Sequence, residues 1–233
     1  MAAEHDRVKQ APEAPKRIII GITGASGAIY GIRALTMLRE VAGVETHLIV
    51  TSGGRATIAY ETSCSLTEIS RLADVVHHEH DLAATISSGS FRTAGMLIAP
   101  CSVKTLSGIA NAFDSNLVVR AADVVLKERR KLVLLVRETP LHSTHLRLMT
   151  EVTAAGAIVA PPVPSFYHRP HSVLDIVDQT VGRALDLFDV DTGRVQRWAG
   201  GPDGARRARL DGKDSLTVPS SPGEPGNCAG PAT

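Results

Sequence analysis

The residues best suited to chemistry form a glycine-rich turn near the start of the chain. The segment Gly21–Gly31 directly follows the apolar run 17–20, so the pattern predicts a strand, a tight turn and the start of a helix. Small residues let the backbone approach a ligand, and the free amides of a helix N-terminus attract anions. We therefore interpret Gly24, Ala25 and Ser26 as a phosphate cradle; a close-packed turn without a ligand is the alternative.

The spacing of these glycines differs from the dinucleotide fingerprint, which also places an acidic residue at the end of the second strand. Here the second predicted strand ends in Thr51, and Ser-Gly-Gly follows it. A third predicted strand leads into a helix start at Ser102 to Thr105. Three strand ends thus offer donors to an anion, which favours a mononucleotide such as FMN over NAD. Helix capping is the alternative role for Ser102 and Thr105.

Charged and phenolic side chains follow the next two predicted strands. Arg137 and Glu138 come after strand 132–136, and Tyr167 lies in the proline-rich segment 161–170. The carboxyl ends of parallel strands meet at one edge of a sheet, so these groups are expected near the glycine turn. A carboxylate beside a cation can act there as an oriented base, and an ordinary ion pair is the alternative.

Three further cations lie on predicted helices. Arg120 and Lys127 are two turns apart on helix 114–130 and therefore share a face. Arg183 lies on a later helix that otherwise carries apolar and acidic residues. Solvent exposure is the alternative interpretation for all three.

The elements that position these residues alternate along the chain. Apolar runs predict strands at 17–23, 44–51, 95–99, 132–136 and 157–160. Helical patterns fall at 28–42, 54–72, 103–127, 143–155 and 172–188. Ser65 with Glu68 forms a predicted capping box, and Gly156 is expected to end a helix. The alternation predicts an α/β fold of three layers, Rossmann-like or flavodoxin-like, with a parallel sheet between helices.

Composition bounds the class of protein. The 233 residues are 43% hydrophobic and carry 25 basic against 24 acidic side chains, so we expect neither a nucleic-acid nor a membrane partner. Residues 1–16 lack the apolar core of a signal peptide, so they predict a disordered segment and a cytoplasmic protein. Residues 199–233 hold seven glycines and five prolines, which predicts a disordered tail after a domain at 17–198. The cysteine and histidine spacings match no metal site, so no metal is expected.

Six blocks of the chain, in order, resemble the UbiX family of flavin prenyltransferases. The blocks are Gly21–Gly31, Ser87–Phe91, Ala99–Gly108, Arg120–Arg129, Arg137–Leu141 and Pro161–Pro170. The resemblance extends to Trp198 and implies a metal-independent transfer of a dimethylallyl group from dimethylallyl phosphate to reduced FMN. It further implies that the prenylated FMN serves a partner decarboxylase of the UbiD type, and that the chain forms a homododecamer.

The resemblance also implies residue roles. Expected FMN contacts are Gly24, Ala25, Ser26, Thr51, Ser102, Val103, Lys104, Thr105 and Arg120. The residues expected to bind the prenyl phosphate are Lys127, Arg137, Tyr167 and Arg183, with Trp198 as an aromatic wall. The expected catalytic set is Glu138 as base with Lys127, Tyr167 and Arg183, supported by Ser26 and Glu61.

Two other functions stay open. An FMN-dependent cysteine decarboxylase has a related architecture, but its Pro-Ala-Ser-Ala-Asn-Thr signature is replaced here by Pro100-Cys-Ser-Val-Lys-Thr105. A non-catalytic FMN-binding small subunit of an aromatic-acid decarboxylase would not need the cations and the carboxylate described above. The three functions are distinguished by whether the bound flavin gains mass from the prenyl donor, only changes its redox state, or binds without any turnover.

Overall fold

Six parallel strands form one sheet in the computed structural model, which describes residues 14–198. The strands are β1 Lys16–Ile22, β2 Val44–Val50, β3 Val75–His77, β4 Gly95–Cys101, β5 Lys131–Val136 and β6 Ile158–Val159. Their order in the sheet is β3-β2-β1-β4-β5-β6. In this doubly wound order the strands are added outwards from β1 to β3 on one side and from β4 to β6 on the other. Such sheets bind ligands at the switch point between β1 and β4. The predicted fold class is confirmed.

The helices within the described residues are α1 Ala28–Leu38, α2 Ser52–Glu61, α3 Leu66–Ser70, α4 Val103–Ala110, α5 Leu117–Lys127, α6 Ser143–Ala155 and α7 Val173–Asp186. Two predicted long helices are wrong, because each is two helices. The predicted capping box is confirmed, and its effect is to start α3 anew at Ser65 within the range 54–72. In the range 103–127, Asn116 caps α5 by accepting a hydrogen bond from the amide of Val119.

The sheet is buried on both faces by helices. Along β1, Ile18, Ile20 and Ile22 point into one apolar cluster with residues of α1 and α7. Ile19 points to the opposite cluster, which contains residues of α4 and α5. Burial on both faces explains why the central strands are continuous apolar runs rather than alternating ones. The strand β3 was not predicted, because it has three residues and its Val76 is half exposed.

The domain boundaries predicted from composition, 17 and 198, lie near the two ends of the described residues 14–198. The strand β1 begins at Lys16, one residue before the predicted domain start. The chain divides into two units, Met1–Arg197 and Trp198–Thr233. Disorder was predicted for residues 1–16 and 199–233. Of these, only residues 14–16 lie within the described part of the chain. No helix within residues 14–198 is both long enough and apolar enough to span a bilayer.

Candidate active site

A cleft of about 470 Å³ lies at the carboxyl edge of the sheet. It is formed by the segments that follow β1, β2, β4 and β5, together with the start of α5 and one residue after β3. The lining residues are Gly24, Ala25, Ser26, Thr51, Ser52, Gly53, Glu79, Ser102, Val103, Lys104, Thr105, Ser115, Asn116, Val119, Arg137 and Glu138. Parallel strands bring segments that are distant in sequence to this common edge.

The glycine turn after β1 packs tightly against the start of α2. A Cβ atom on Gly24 would lie 2.9 Å from the Cα atom of Gly53, so glycine is required for this approach. The turn ends at Gly27, whose φ of 104° lies in the left-handed region before α1 begins. Gly24, Ala25 and Ser26 line the cleft with small side chains or none, which leaves their backbone accessible to a ligand.

The carboxylate of Glu61 holds this turn in place. Its Oε2 atom accepts hydrogen bonds from the amides of Gly27 at 2.8 Å and Ala28 at 3.2 Å. Burial alone would raise the pKa of Glu61. The hydrogen bonds from Ser26 and from the two amides, with the nearby charge of Arg137, outweigh that effect and lower the pKa. Glu61 is thus an anion bound at the N-terminus of α1, and it orients the hydroxyl of Ser26.

Two helices direct their N-termini into the cleft. Thr51 caps α2 by accepting a hydrogen bond from the amide of Gly54 at 3.1 Å, and Ser102 caps α4 through the amide of Thr105 at 3.3 Å. The capping role weighed for Ser102 is therefore real. Capping satisfies only some of the first four amides of a helix, and the remainder face the cleft beside Lys104. The arrangement suits a phosphate group.

Arg137 and Glu138 form the opposite rim, directly after β5. The amide of Arg137 donates to the carbonyl of Cys101 at 3.1 Å, which joins this rim to the end of β4. The Oε1 atom of Glu138 accepts a hydrogen bond from the amide of Thr139 at 2.9 Å. Burial raises the pKa of the Tyr30 phenol, and the charge of Arg137 opposes that rise. A cation and an exposed carboxylate thus flank the same cleft.

Arg120 and Lys127 do not line the cleft of this single chain. Both lie beside the segment 87–91, so they share a helix face as their spacing predicted. The Nε atom of Arg120 donates to the carbonyl of Ser87 at 3.3 Å. The same guanidinium pairs with Asp114 and Asp123, each at 3.1 Å.

Lys127 pairs with Glu128 at 2.7 Å, and a Cβ atom on Gly89 would lie 2.8 Å from the Nζ atom of this lysine. The bond to Lys127 lowers the pKa of Glu128. Lys127 therefore presents its charge beside Gly89, within the second of the six blocks.

Tyr167 and Arg183 lie at a second cavity, of about 320 Å³, beside α7. The Tyr167 hydroxyl accepts a hydrogen bond from the Nε2 atom of Gln179 at 2.7 Å and donates to the carbonyl of Gln196 at 2.9 Å. Arg183 forms an ion pair with Asp186. The pKa of Asp186 is lowered, chiefly by its hydrogen bond from Arg197.

The predicted site residues that follow β1, β2, β4 and β5 meet at one cleft. Arg120 and Lys127 lie instead beside the segment 87–91, and Tyr167 and Arg183 line the second cavity, beside α7. Trp198 belongs to the second unit of the chain, so its role as a wall stays a prediction. No group of three or more metal-binding side chains occurs within residues 14–198.

Sequence reasoning missed several residues that line the cleft, among them Glu79, Ser115 and Asn116. The predicted ranges 103–127 and 114–130 both include Ser115 and Asn116 as helical residues, whereas they precede α5. Asn116 followed by an apolar helical pattern is the signal that could have revealed this helix start. Glu79 follows β3, and no periodicity in the sequence marks so short a strand.

Known proteins resemble this chain in both sequence and fold. A family model described as Flavoprotein matches residues 7–185. The flavin prenyltransferase UbiX of Escherichia coli K12 is 57% identical over 187 residues, which cover 79% of this chain and 99% of that protein.

Two solved structures are also similar. A UbiX structure in complex with FMN and dimethylallyl pyrophosphate has a TM-score of 0.78 and 53% identity, covering 80% of this chain and 98% of that one. A dodecameric FMN-dependent UbiX-like decarboxylase from Escherichia coli O157:H7 has a TM-score of 0.77 and 49% identity, covering 79% and 100%. The glycine turn, the two helix N-termini and the Arg137–Glu138 rim therefore belong to a member of the UbiX family of flavin prenyltransferases.

Proposed function

We propose that this protein transfers a dimethylallyl group from dimethylallyl phosphate to reduced FMN, in the cytoplasm, and that a UbiD-type decarboxylase uses the prenylated product. One observation carries the proposal. The cleft joins a phosphate-binding edge, made by the Gly24 turn and the N-termini of α2 and α4, to a rim with the cation Arg137 and the carboxylate Glu138. The first part suits the FMN phosphate, and the second suits transfer chemistry.

The residues of the cleft fit FMN. Its volume of about 470 Å³ lies within the range of ligand pockets, roughly 300–1,000 Å³. A methyl group at Gly24 would meet the backbone of Gly53, so the glycine keeps the turn close to the start of α2 and lets the amides of both approach one phosphate. Reduced FMN, when bound, supplies a ring nitrogen and an aromatic carbon as acceptors of the dimethylallyl group. We assign FMN contacts to Gly24, Ala25, Ser26, Thr51, Ser102, Val103, Lys104, Thr105 and Arg120.

The chain's own residues provide the two other requirements of the reaction. Cleavage of an allylic C–O bond releases phosphate, so cations must stabilise the departing charge; we assign this role to Arg137, Lys127 and Arg183, with Tyr167 as a further phosphate ligand. Bond formation at an aromatic carbon then requires the loss of a proton. Glu138 accepts that proton, since its carboxylate is exposed at the cleft and has Arg137 beside it.

The three separate locations are brought together by assembly. In a single chain the cleft lacks four of the assigned residues, so we infer that neighbouring copies supply them: Arg120, Lys127, Tyr167 and Arg183. A homo-oligomer, a dodecamer as in the similar decarboxylase, provides the means. Large apolar side chains on the surface support this: Tyr60 is 90% exposed, Phe113 69% and Val173 78%.

The proposed activity is tested by anaerobic incubation with reduced FMN and dimethylallyl phosphate, followed by mass spectrometry of the flavin. The proposal expects a flavin heavier by one dimethylallyl group and a product that activates a UbiD-type apo-decarboxylase. A flavin that changes only its redox state with a cysteine substrate would support the cysteine decarboxylase instead. FMN binding with no turnover at all would support the non-catalytic subunit.

The shared site is tested by mixing variants. Lys127→Ala and Glu138→Gln chains are each expected to be nearly inactive alone. After dissociation and joint reassembly, mixed oligomers should regain part of the activity, because some sites combine an intact Lys127 from one copy with an intact Glu138 from another. A mixture as inactive as either variant would contradict a site built from more than one chain.

A further inference from the structure

One buried carboxylate at the cleft has no role in the reaction described above. Glu79 follows β3, is 5% exposed and is one of the residues that line the cleft. Its carbonyl accepts a hydrogen bond from the amide of Leu117 at 2.7 Å, which ties the residue to the start of α5. Within residues 14–198, its carboxylate forms neither a hydrogen bond nor an ion pair.

This lack of a partner points to a ligand. A buried carboxylate loses its hydration, and the loss is costly unless hydrogen bonds replace it. Buried polar side chains in proteins are therefore almost always bonded, and an unbonded one calls for an explanation. The cleft lining also contains neutral polar residues, such as Ser115 and Asn116, and the cations Lys104 and Arg137, yet none of these side chains bonds to the carboxylate of Glu79. Its oxygens are open to the cleft, so a molecule that fills the cleft and displaces the water there must supply a partner.

The chemistry of a carboxylate restricts that partner. An ionised carboxylate only accepts hydrogen bonds, so the ligand must present a donor. The phosphate of FMN is an anion and is excluded by charge repulsion. The reacting part of the ring is assigned to the opposite rim, beside Arg137 and Glu138. The remaining donors of FMN are the hydroxyls of its ribityl chain and the N3–H group of its ring. The hydroxyls adjoin the phosphate, and the phosphate-binding edge includes the end of β2, the strand beside β3.

We propose that Glu79 is a flavin-binding residue that accepts a hydrogen bond from a ribityl hydroxyl of FMN. The inference rests on the proposed function in that it takes FMN as the ligand of the cleft. It does not depend on prenyl transfer, because the bond forms when the flavin binds. Glu79 therefore selects flavins that carry a ribityl chain.

The test measures dissociation constants by flavin fluorescence for FMN, riboflavin and lumiflavin, which lacks the ribityl chain. Glu79→Ala should weaken FMN and riboflavin by a similar factor, about tenfold or more for a hydrogen bond to a charged group, and leave lumiflavin unchanged. Glu79→Gln keeps the shape and an acceptor oxygen, so the same two ligands should lose less. Asp81→Asn, an exposed carboxylate two residues away, is the matched control and should change none of them.

Unchanged or tighter FMN binding by Glu79→Ala would overturn the proposal, because it would show that the carboxylate repels the flavin or ignores it. A loss that persists with lumiflavin would also overturn it, since the contact would then be to the ring. If Glu79→Ala does not fold, Glu79→Gln decides alone by the same comparison. Failure of the proposed function is distinguished by the wild type, which would then bind FMN without transferring a prenyl group.

Discussion

Replacing Gly24 by valine is expected to abolish FMN retention while the protein still folds. The first added atom, Cβ, would lie 2.9 Å from the Cα atom and 3.1 Å from the carbonyl carbon of Gly53. Comfortable carbon contacts begin at about 3.5 Å, so the glycine turn and the start of α2 must separate by about half an ångström. Both neighbours are backbone atoms, so no side chain can rotate away. Gly24→Ala imposes the same separation, and the two γ-carbons of valine add to it.

The magnitude follows from what this separation does. Forcing extra atoms into a packed site costs about 1–3 kcal/mol of stability, which most domains survive. Flavin binding suffers more, because the amides of the turn and of α2 would no longer converge on one phosphate. Losing a single hydrogen bond to a charged group costs about 1.5–3 kcal/mol, which corresponds to roughly a 10- to 150-fold weaker affinity.

The assay titrates FMN against Gly24→Ala, Gly24→Val and Gly21→Ala, with thermal unfolding measured in parallel. Gly21→Ala is the matched control. Gly21 lies within β1 and does not line the cleft, and its added Cβ atom would lie 3.3 Å from the flexible end of the Met96 side chain. We expect Gly21→Ala to bind FMN as the wild type does, Gly24→Ala at least tenfold more weakly and Gly24→Val not measurably. A folded Gly24→Val protein with full flavin occupancy would refute the phosphate cradle.

Three further predictions address the cations, the turn and the tail. Lys127→Ala should weaken the use of dimethylallyl phosphate but leave the affinity for FMN nearly intact, whereas the control Lys131→Ala should change neither. Steady-state kinetics and FMN titration test this, and an equal loss of turnover and FMN affinity in Lys127→Ala would contradict it. The pKa of Glu61 is lowered in the folded protein from its usual 4.5, so its stabilising effect is present above about pH 4.5 and is lost as the pH falls through the folded value. Melting temperatures should therefore drop less steeply between pH 6 and pH 3.5 in Glu61→Gln, and parallel curves would contradict this. Deleting residues 203–233 should leave activity within about a factor of two, whereas Trp198→Ala should reduce it; a large loss on deletion would assign the tail a role.

The sequence predicted the sheet and most of the cleft, because both depend on local patterns. Runs such as 17–23 and 132–136 are apolar throughout, since their strands are buried on both faces. The Gly24 turn can be predicted from the sequence because a close approach of two backbone segments requires several small residues in a row. The carboxyl ends of parallel strands meet at one edge of the sheet, so the sequence also placed Arg137 and Glu138 near the turn.

Helix breaks and one strand were harder to predict. Residues 54–72 and 103–127 carry continuous helical patterns, yet the caps at Ser65 and Asn116 begin new helices within them. A cap depends on one side chain that bonds to one amide. Whether a helix ends and restarts at such a residue or continues through it is therefore decided by tertiary packing rather than by helix propensity. The strand β3 is held by its pairing with β2, a long-range interaction that three residues cannot signal.

By itself, then, the sequence determined the fold class, the position of the glycine turn and the family, through residues that are adjacent or evenly spaced in the chain. Only the tertiary structure showed that Lys127 and Arg183 lie away from the cleft, because a helix face can be predicted from spacing but its neighbours cannot. Only the tertiary structure found Glu79, whose carboxylate is unusual solely because of burial without a partner. Burial and pairing are properties of distant segments brought together, and no local pattern in the chain encodes them.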